Sequence, residues 1–381
     1  MRIAVIVNTV VPYTEPLFKR LAERDGHDLL VISETAMERD RTWRPVSNPP
    51  FEHVLLDSWT LDLSRLAVGS GVRTRFDTYM YVSKHPLAPL HQFSPDVVVA
   101  AGGGIWSSPA NVAALAARRR RGWAFVPWWG SFRRERPTVP RRLAEPWVRF
   151  FMRQADAWLV YGSRQARDLV NMGADPARTV TAPLTALAPE RPVQRRGTTT
   201  RGITRYLFMG RLIERKGIDV LLEAFDDLGS GELWVVGDGP LRETVKLAAA
   251  RRDRIRFLGH LEGDAQVEVY RQTDVLVVPS LYEPWGLVVH EGLAYGLPVI
   301  ATDQVGAADD LIDPGTNGCI VPAGSSRALS DAMRGLAAWT PAQWERAGKR
   351  SSETLAMCTT DRSVEGFIRG CRLAVDHRRR R

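Results

Sequence analysis

The chain has 381 residues, 44% hydrophobic and 25% charged, enough to fill two cores of ordinary size and too apolar for a disordered polymer. Its formal net charge of +9 is carried mostly by arginine, which attracts phosphates of any kind but does not alone indicate a polymeric partner. Three scattered cysteines argue against a disulfide framework, no apolar run is long enough to span a bilayer, and the first residues read as a strand, so a cytoplasmic protein is expected.

Through the first half, short apolar runs alternate with helical patterns. Strands are expected at 3–7, 29–33, 53–56, 97–101, 124–128 and 158–161, and helices at 15–24, 108–119, 140–154 and 163–172. Residues 186–203 are rich in Pro, Thr and Arg without apolar period and read as a linker. Beyond them the alternation restarts, with strands at 206–209, 233–236, 255–258, 275–278, 299–301 and 318–321. The helices between them are expected at 217–228, 240–250, 265–272, 286–295, 307–312 and 325–336, and a closing helical stretch runs over 341–375. This predicts two doubly wound parallel sheets, in domains 1–185 and 204–360, with 361–381 as a C-terminal helix and basic tail.

Two basic features stay open at this level. In 140–154, Leu143, Trp147 and Phe151 share one face and Arg142, Arg149 and Arg153 another. That pattern suits an interfacial helix with peripheral membrane contact, and equally a core-packed helix with a solvated face. The run Arg118–Arg121 reads as a helix C-terminus complementing its own dipole.

The most informative stretch is 279–301, Pro-Ser-Leu-Tyr-Glu-Pro-Trp-Gly-Leu-Val-Val-His-Glu-Gly-Leu-Ala-Tyr-Gly-Leu-Pro-Val-Ile-Ala. Glu283 sits in a loop between an apolar strand and a helix opening near Gly286, and Glu291 lies within that helix. The helix N-terminus offers unpaired backbone N–H groups and a positive dipole end to a phosphate. The two carboxylates suit sugar and ribose hydroxyls. Gly210-Arg-Leu-Ile-Glu-Arg-Lys-Gly-Ile-Asp219 follows the first strand of the second half, so Arg211 and Lys216 can converge on one anion. The turns Val236-Gly-Asp-Gly-Pro240 and Phe257-Leu-Gly-His-Leu261 end two further strands, with Gly237 and Gly239 permitting close backbone approach. His260 reads equally as part of this edge or as loop surface.

These elements together resemble glycosyltransferase family 4, the retaining sugar transferases of the GT-B fold, whose signature is two Glu separated by seven residues in a strand–loop–helix setting. The resemblance implies two Rossmann-like doubly wound domains facing across a cleft, with the last helix crossing back to the N-terminal domain. It implies a nucleotide-sugar donor, UDP-linked in our expectation, and a small-molecule or lipid-linked acceptor. Arg211 and Lys216 would bind the leaving diphosphate, Glu283 the donor sugar and Glu291 the ribose. Gly210, Gly237, Gly239, His260, Leu261, Gly286, Leu287 and Val288 would line the donor site. No cofactor is implied, and with no Asp-x-Asp motif no metal need neutralise the leaving group.

The resemblance is specific in the second half and architectural in the first, where the acceptor would bind. Many relatives carry Gly-Gly after the first strand; this chain has Asn8-Thr-Val-Val-Pro-Tyr-Thr-Glu15, which brings Tyr13 to that place. The glycines 102–104, Gly103 and Gly104 among them, would offer close backbone approach instead. Where relatives often have a His, the chain reads Pro127-Trp-Trp-Gly-Ser131, so Trp129 or Ser131 would face the acceptor, or Trp128 and Trp129 would be core. The competing readings are a sugar-nucleotide epimerase or hydrolase on the same fold, and a basic nucleic-acid-binding protein. The chain lacks aromatic-interleaved basic strands and a recognition-helix motif, so no nucleic-acid partner is expected.

Overall fold

The computed structural model describes residues 1–37, 46, 48–62, 79–101, 108–132, 146, 148–187 and 203–381. The chain divides into two compact units, Met1–Thr185 with Cys358–Arg381, and Ala186–Met357.

The first unit contains β1 (Arg2–Val7), β2 (Asp28–Ser33), β3 (Glu52–Leu55), β4 (Ser58–Asp62), β5 (Tyr79–Ser83), β6 (Val97–Ala101), β7 (Ala124–Trp129), β8 (Trp158–Val160) and β9 (Thr179–Thr181). Seven of these form a parallel sheet in the order β3-β2-β1-β6-β7-β8-β9, while β4 and β5 pair antiparallel beside it in sequence. The strand order reverses between β1 and β6, and in such sheets ligands bind outside the carboxyl ends at that point. The central strands are buried along nearly their whole length, as expected when helices cover both faces. Trp128 anchors this core, with the rings of Phe18, Tyr161 and Phe367 edge-on to it at 6.4, 5.6 and 5.5 Å. Beneath it, Arg118 and Asp156, 3% and 0% exposed, pair at 2.9 Å, and Asp156 also accepts from the Phe125 N–H.

The closing helical stretch is not one helix. It consists of Pro341–Ala356 in the second unit and Thr360–Arg379 in the first, broken at 357–359. The Thr359 side chain accepts from the Arg362 N–H and so caps a new helix start, which a periodicity count passes over. The last helix lies against β7 and β9 because Gly366 lets it: a Cβ there would stand 2.2 Å from the Thr181 carbonyl oxygen. Its first turn is also tied to the helix Glu15–Ala22 by the ion pair of Asp361 with Arg20. Of the expected helix 140–154, residues 146 and 148–153 are helical; 140–145 and 147, including Arg142, Leu143 and Trp147, lie outside the described residues. The pair β4–β5, the helix Ala88–Phe93 and the short edge strand β9 have no counterpart in the sequence expectation.

The second unit contains β10 (Arg205–Met209), β11 (Glu232–Val236), β12 (Ile255–Gly259), β13 (Val275–Val278), β14 (Val299–Thr302) and β15 (Gly318–Val321), in the order β12-β11-β10-β13-β14-β15 and parallel throughout. Here the reversal falls between β10 and β13. The exits of those two strands are the loops that carry Arg211, Lys216 and Glu283. Both units are therefore Rossmann-like, and the motif-bearing residues of the second stand where its topology favours a ligand.

Candidate functional site

The loop after β13 is fixed by its neighbour after β14. The Glu283 N–H donates to the Gln304 carbonyl oxygen at 2.8 Å, Gly306 N–H to the Glu283 carbonyl at 2.9 Å, and Ala307 N–H to that of Trp285 at 2.8 Å. On the other side, the Leu281 N–H donates to the Arg215 carbonyl at 2.8 Å. Gly217 permits this approach: its φ is +70°, and a Cβ would stand 2.0 Å from the Pro279 carbonyl oxygen. The helix Leu287–Ala294 starts after Gly286, at φ 101°, with its N-terminus beside Glu283.

Lys216 is the meeting point. Its ammonium forms an ion pair with Glu283, both side chains being largely buried. Its side chain passes 3.8 Å from where a Cβ on Gly210 would be, and its charge acts on Glu291. Arg215, 7% exposed, donates through Nη1 to the Tyr282 carbonyl oxygen at 2.6 Å and approaches Glu283 Oε2 at 3.4 Å. The structure thus brings Lys216, Glu283, Glu291, Gly210 and Gly286 into one neighbourhood, while half-buried Arg211 follows Gly210 in the same loop.

Glu291 is held by a residue the sequence did not single out. The Tyr270 hydroxyl donates to its Oε2 at 2.5 Å, and the Tyr270 ring stacks on Tyr295 at 4.8 Å with planes 7° apart. Burial raises the Glu291 pKa, while the Tyr270 hydroxyl and the Lys216 charge lower it. Burial also pushes Tyr270 well above the ordinary phenol range, with the Glu291 charge adding to it, so Tyr270 stays a donor.

Gly237 and Gly239 are required by the backbone beside them. At φ 141°, a Cβ on Gly237 would stand 1.8 Å from the Gly210 carbonyl oxygen; at φ 151°, one on Gly239 would stand 2.5 Å from that of Leu212. Backbone bonds from Gly210 N–H to Val236 O, Leu212 N–H to Asp238 O and Gly237 N–H to Gly259 O zip the exits of β10, β11 and β12 together. Their close approach is to neighbouring backbone. His260 is exposed and its ring faces Glu262 at 3.1 Å, with half-buried Leu261 following; no hydrogen bond or ion pair joins His260 to Lys216, Glu283 or Glu291. Leu287 and Val288 occupy the first turn of their helix.

In the first unit, half-buried Tyr13 follows the β1 exit and half-buried Ser131 the β7 exit. Trp129 is 9% exposed and packs into the core with its indole nitrogen lacking a partner among the described residues. Gly103 and Gly104 lie outside the described residues. Among the described residues no group of His, Cys, Asp or Glu could hold a metal ion, and no helix is long and apolar enough to cross a membrane.

Residues 8–185 match the family model described as a glycosyl transferase 4-like domain, and residues 204–338 that of glycosyl transferases group 1. The chain is 32% identical over 265 residues to a GDP-mannose-dependent alpha-mannosyltransferase of Mycobacterium tuberculosis, a match covering 66% of each chain. Matches to several other curated relatives span 30–47% of those proteins' lengths. Two solved structures share the fold over 97% of this chain and 98% of theirs. They are a sucrose-phosphate synthase of Thermosynechococcus elongatus (TM-score 0.70, 20% identity) and HepE of Anabaena with UDP-glucose (TM-score 0.69, 14% identity). With both units matched in order, each to a glycosyltransferase domain, the chain belongs to the GT-B glycosyltransferases of the family 4 type.

Proposed function

We propose that the protein is a retaining, metal-independent glycosyltransferase that moves a sugar from a nucleoside diphosphate sugar, UDP-linked in our reading, to an acceptor hydroxyl. The observation that carries this reading is the convergence of Lys216, Glu283 and Glu291 at the N-terminus of the helix Leu287–Ala294. A cation and free N–H groups suit a diphosphate, and carboxylates beside them suit hydroxyls. Lys216 and Arg215 both pair with Glu283. In this reading a diphosphate draws Lys216 from Glu283, whose carboxylate, still flanked by Arg215, faces the donor sugar, while Glu291 holds the ribose.

In the proposed reaction the bond from the anomeric carbon to the diphosphate oxygen breaks. The acceptor oxygen bonds to the same face, and its proton passes to the departing phosphate. Lys216, Arg211 and the N–H groups of Leu287 and Val288 stabilise the charge that develops there. The acceptor side is assigned to the exits of β1 and β7 in the first unit, around Tyr13 and Ser131. A small-molecule or lipid-linked acceptor is consistent with this assignment, and the cell interior is the compartment we propose.

The test is mass-spectrometric detection of nucleoside diphosphate release and sugar transfer over a panel of UDP- and GDP-sugars, with and without acceptors, in excess EDTA. HepE, solved with UDP-glucose, supports the uracil base, and the GDP-mannose-dependent relative makes guanine the competing one. Donor consumption without any acceptor requirement would favour an epimerase or hydrolase. Loss of activity in EDTA with recovery on adding Mg²⁺ would overturn metal independence.

A further inference from the structure

Two arginine runs separated by 260 residues of sequence meet on the first unit. The helix Pro109–Arg121 ends in Arg118, Arg119, Arg120 and Arg121; the helix Thr360–Arg379 ends in Arg378 and Arg379, and Arg380 and Arg381 follow. Arg378 Nη2 donates to the Arg118 carbonyl oxygen at 3.3 Å, so the two helix C-termini touch. The junction lies at the amino edge of the sheet, because Arg118 pairs with Asp156 just before β8 and the helix ends just before β7. That is the edge opposite the strand exits.

Helix dipoles account for only part of this charge. Two C-termini place about one negative charge in total at such a point, Asp376 supplies one more on the last helix, and Asp175, which faces His377, is itself paired with Arg178 at 2.9 Å. Arg118 is already neutralised by Asp156. Six arginines, Arg119 to Arg121 and Arg379 to Arg381, are exposed, and Arg378 is half-buried beside them. The crowding is felt locally: after the effect of burial, Arg378 and Arg119 depress Arg118 against the stronger upward pull of Asp156, and Arg178 and Arg381 depress His377 against Asp156 and Asp175. Like charges gathered this way repel one another until an anionic surface meets them.

We propose that this arginine junction docks the protein onto an anionic lipid bilayer. Clusters of four to eight basic residues bind such surfaces, each side chain strengthening partitioning about fivefold, the equivalent of ~1 kcal/mol. Guanidinium forks match the phosphodiester oxygens of lipid headgroups. Nucleic acid fits less well. Single strands need aromatic platforms among the cations, and residues 118–122 and 374–381 contain no Phe, Tyr or Trp. Duplex recognition lays a helix along a groove, whereas these guanidiniums crowd two helix tips. The junction leaves the carboxyl edge of the same sheet uncovered.

The test is co-sedimentation of the full chain with vesicles of phosphatidylcholine, alone or with a third of phosphatidylglycerol, at low and high salt. Binding is expected only to the anionic vesicles and is expected to weaken with salt. Arg120→Glu with Arg121→Glu, and Arg379→Glu with Arg380→Glu, should each reduce it at least about tenfold, and the four together should abolish it. Arg346→Glu with Lys349→Glu, an equal charge change in the second unit, should leave it near the original level. Urea denaturation checks that each variant is folded, and Gln at the same four positions gives a milder set if the Glu variants unfold. Equal losses in the control pair would overturn the proposal in favour of bulk charge. Undiminished binding by the junction variants would also overturn it, as would tight oligonucleotide binding that vesicles do not compete away.

Discussion

Tyr270→Phe removes a single oxygen from the second unit and leaves the packing in place. The ring is 1% exposed and stacked on Tyr295, contacts that Phe retains. What disappears is the donation to Glu291 at 2.5 Å. A hydrogen bond to a charged group contributes about 1.5–3 kcal/mol, or roughly 10- to 100-fold in binding when the group must be held for a ligand. If Glu291 grips the ribose of the donor, the donor KM should rise by that factor while kcat at alkaline pH changes little. The pH profile should move as well. Tyr270 lowers the Glu291 pKa against the upward pull of burial, so deleting the hydroxyl raises that pKa further. The carboxylate is the competent form, activity falls as pH drops through its pKa, and the acid limb of kcat/KM should therefore shift to higher pH. Initial rates against donor concentration across the pH range, with a urea midpoint for each protein, separate this from simple destabilisation. An unchanged KM together with an unchanged acid limb would refute the positioning argument, and with it the assignment of Glu291 to the ribose.

Four further outcomes are expected. Lys216→Met should cost roughly 10²–10³ in transfer rate by removing charge at the leaving diphosphate, measured as single-turnover product formation; less than a tenfold loss places the diphosphate elsewhere. Gly237→Ala should destabilise the second unit by several kcal/mol or prevent its folding, because the new Cβ would meet the Gly210 carbonyl oxygen at 1.8 Å; a wild-type urea midpoint would contradict this geometry. Asp156→Ala should lower stability by about 3–5 kcal/mol, since it strands buried Arg118, and denaturant titration reads this directly. Burial raises Glu34 from 4.5 to about 8, with the Ser108 hydroxyl and Ala110 N–H pulling the other way. Between those pH values the folded chain keeps a proton the unfolded one has lost, so stability falls as pH rises and levels off above the folded pKa. Glu34→Gln should flatten that decline, a difference on the order of 5 kcal/mol at alkaline pH, seen in urea midpoints against pH.

The parallel strands other than β9 were legible because each is a short apolar run bounded by glycine or a polar turn, and β6 and β13 fall where those runs predict. The pair β4–β5 was not: Trp59 and Leu61 alternate with Ser58, Thr60 and Asp62, but the apolar positions are exposed, so no core face marks it. Of the residues brought together around Lys216, Glu283, Glu291 and Lys216 itself were readable from spacing after strand ends. Arg215 was hidden by its position beside Lys216, since nothing in the order Glu-Arg-Lys-Gly says which cation turns inward. Tyr270 was hidden for another reason. It sits on an amphipathic helix where an apolar face already explains an aromatic, and only tertiary packing aims its hydroxyl at Glu291. His260 shows the converse, a residue in a plausible motif that turns to its own loop.

The helix Thr360–Arg379 has a consequence for biosynthesis. A ribosome delivers the strands of the first unit early, yet the helix that covers β7 and β9 and seats Phe367 against Trp128 is translated only after the whole second unit. Until then the face holding Trp128 and Leu159 stays open to solvent or chaperone, while the second unit, continuous in sequence, can close on its own. The domain begun first is thus completed last. A premature stop before residue 360 would leave the first unit unfinished while the second, complete, stays tethered to it.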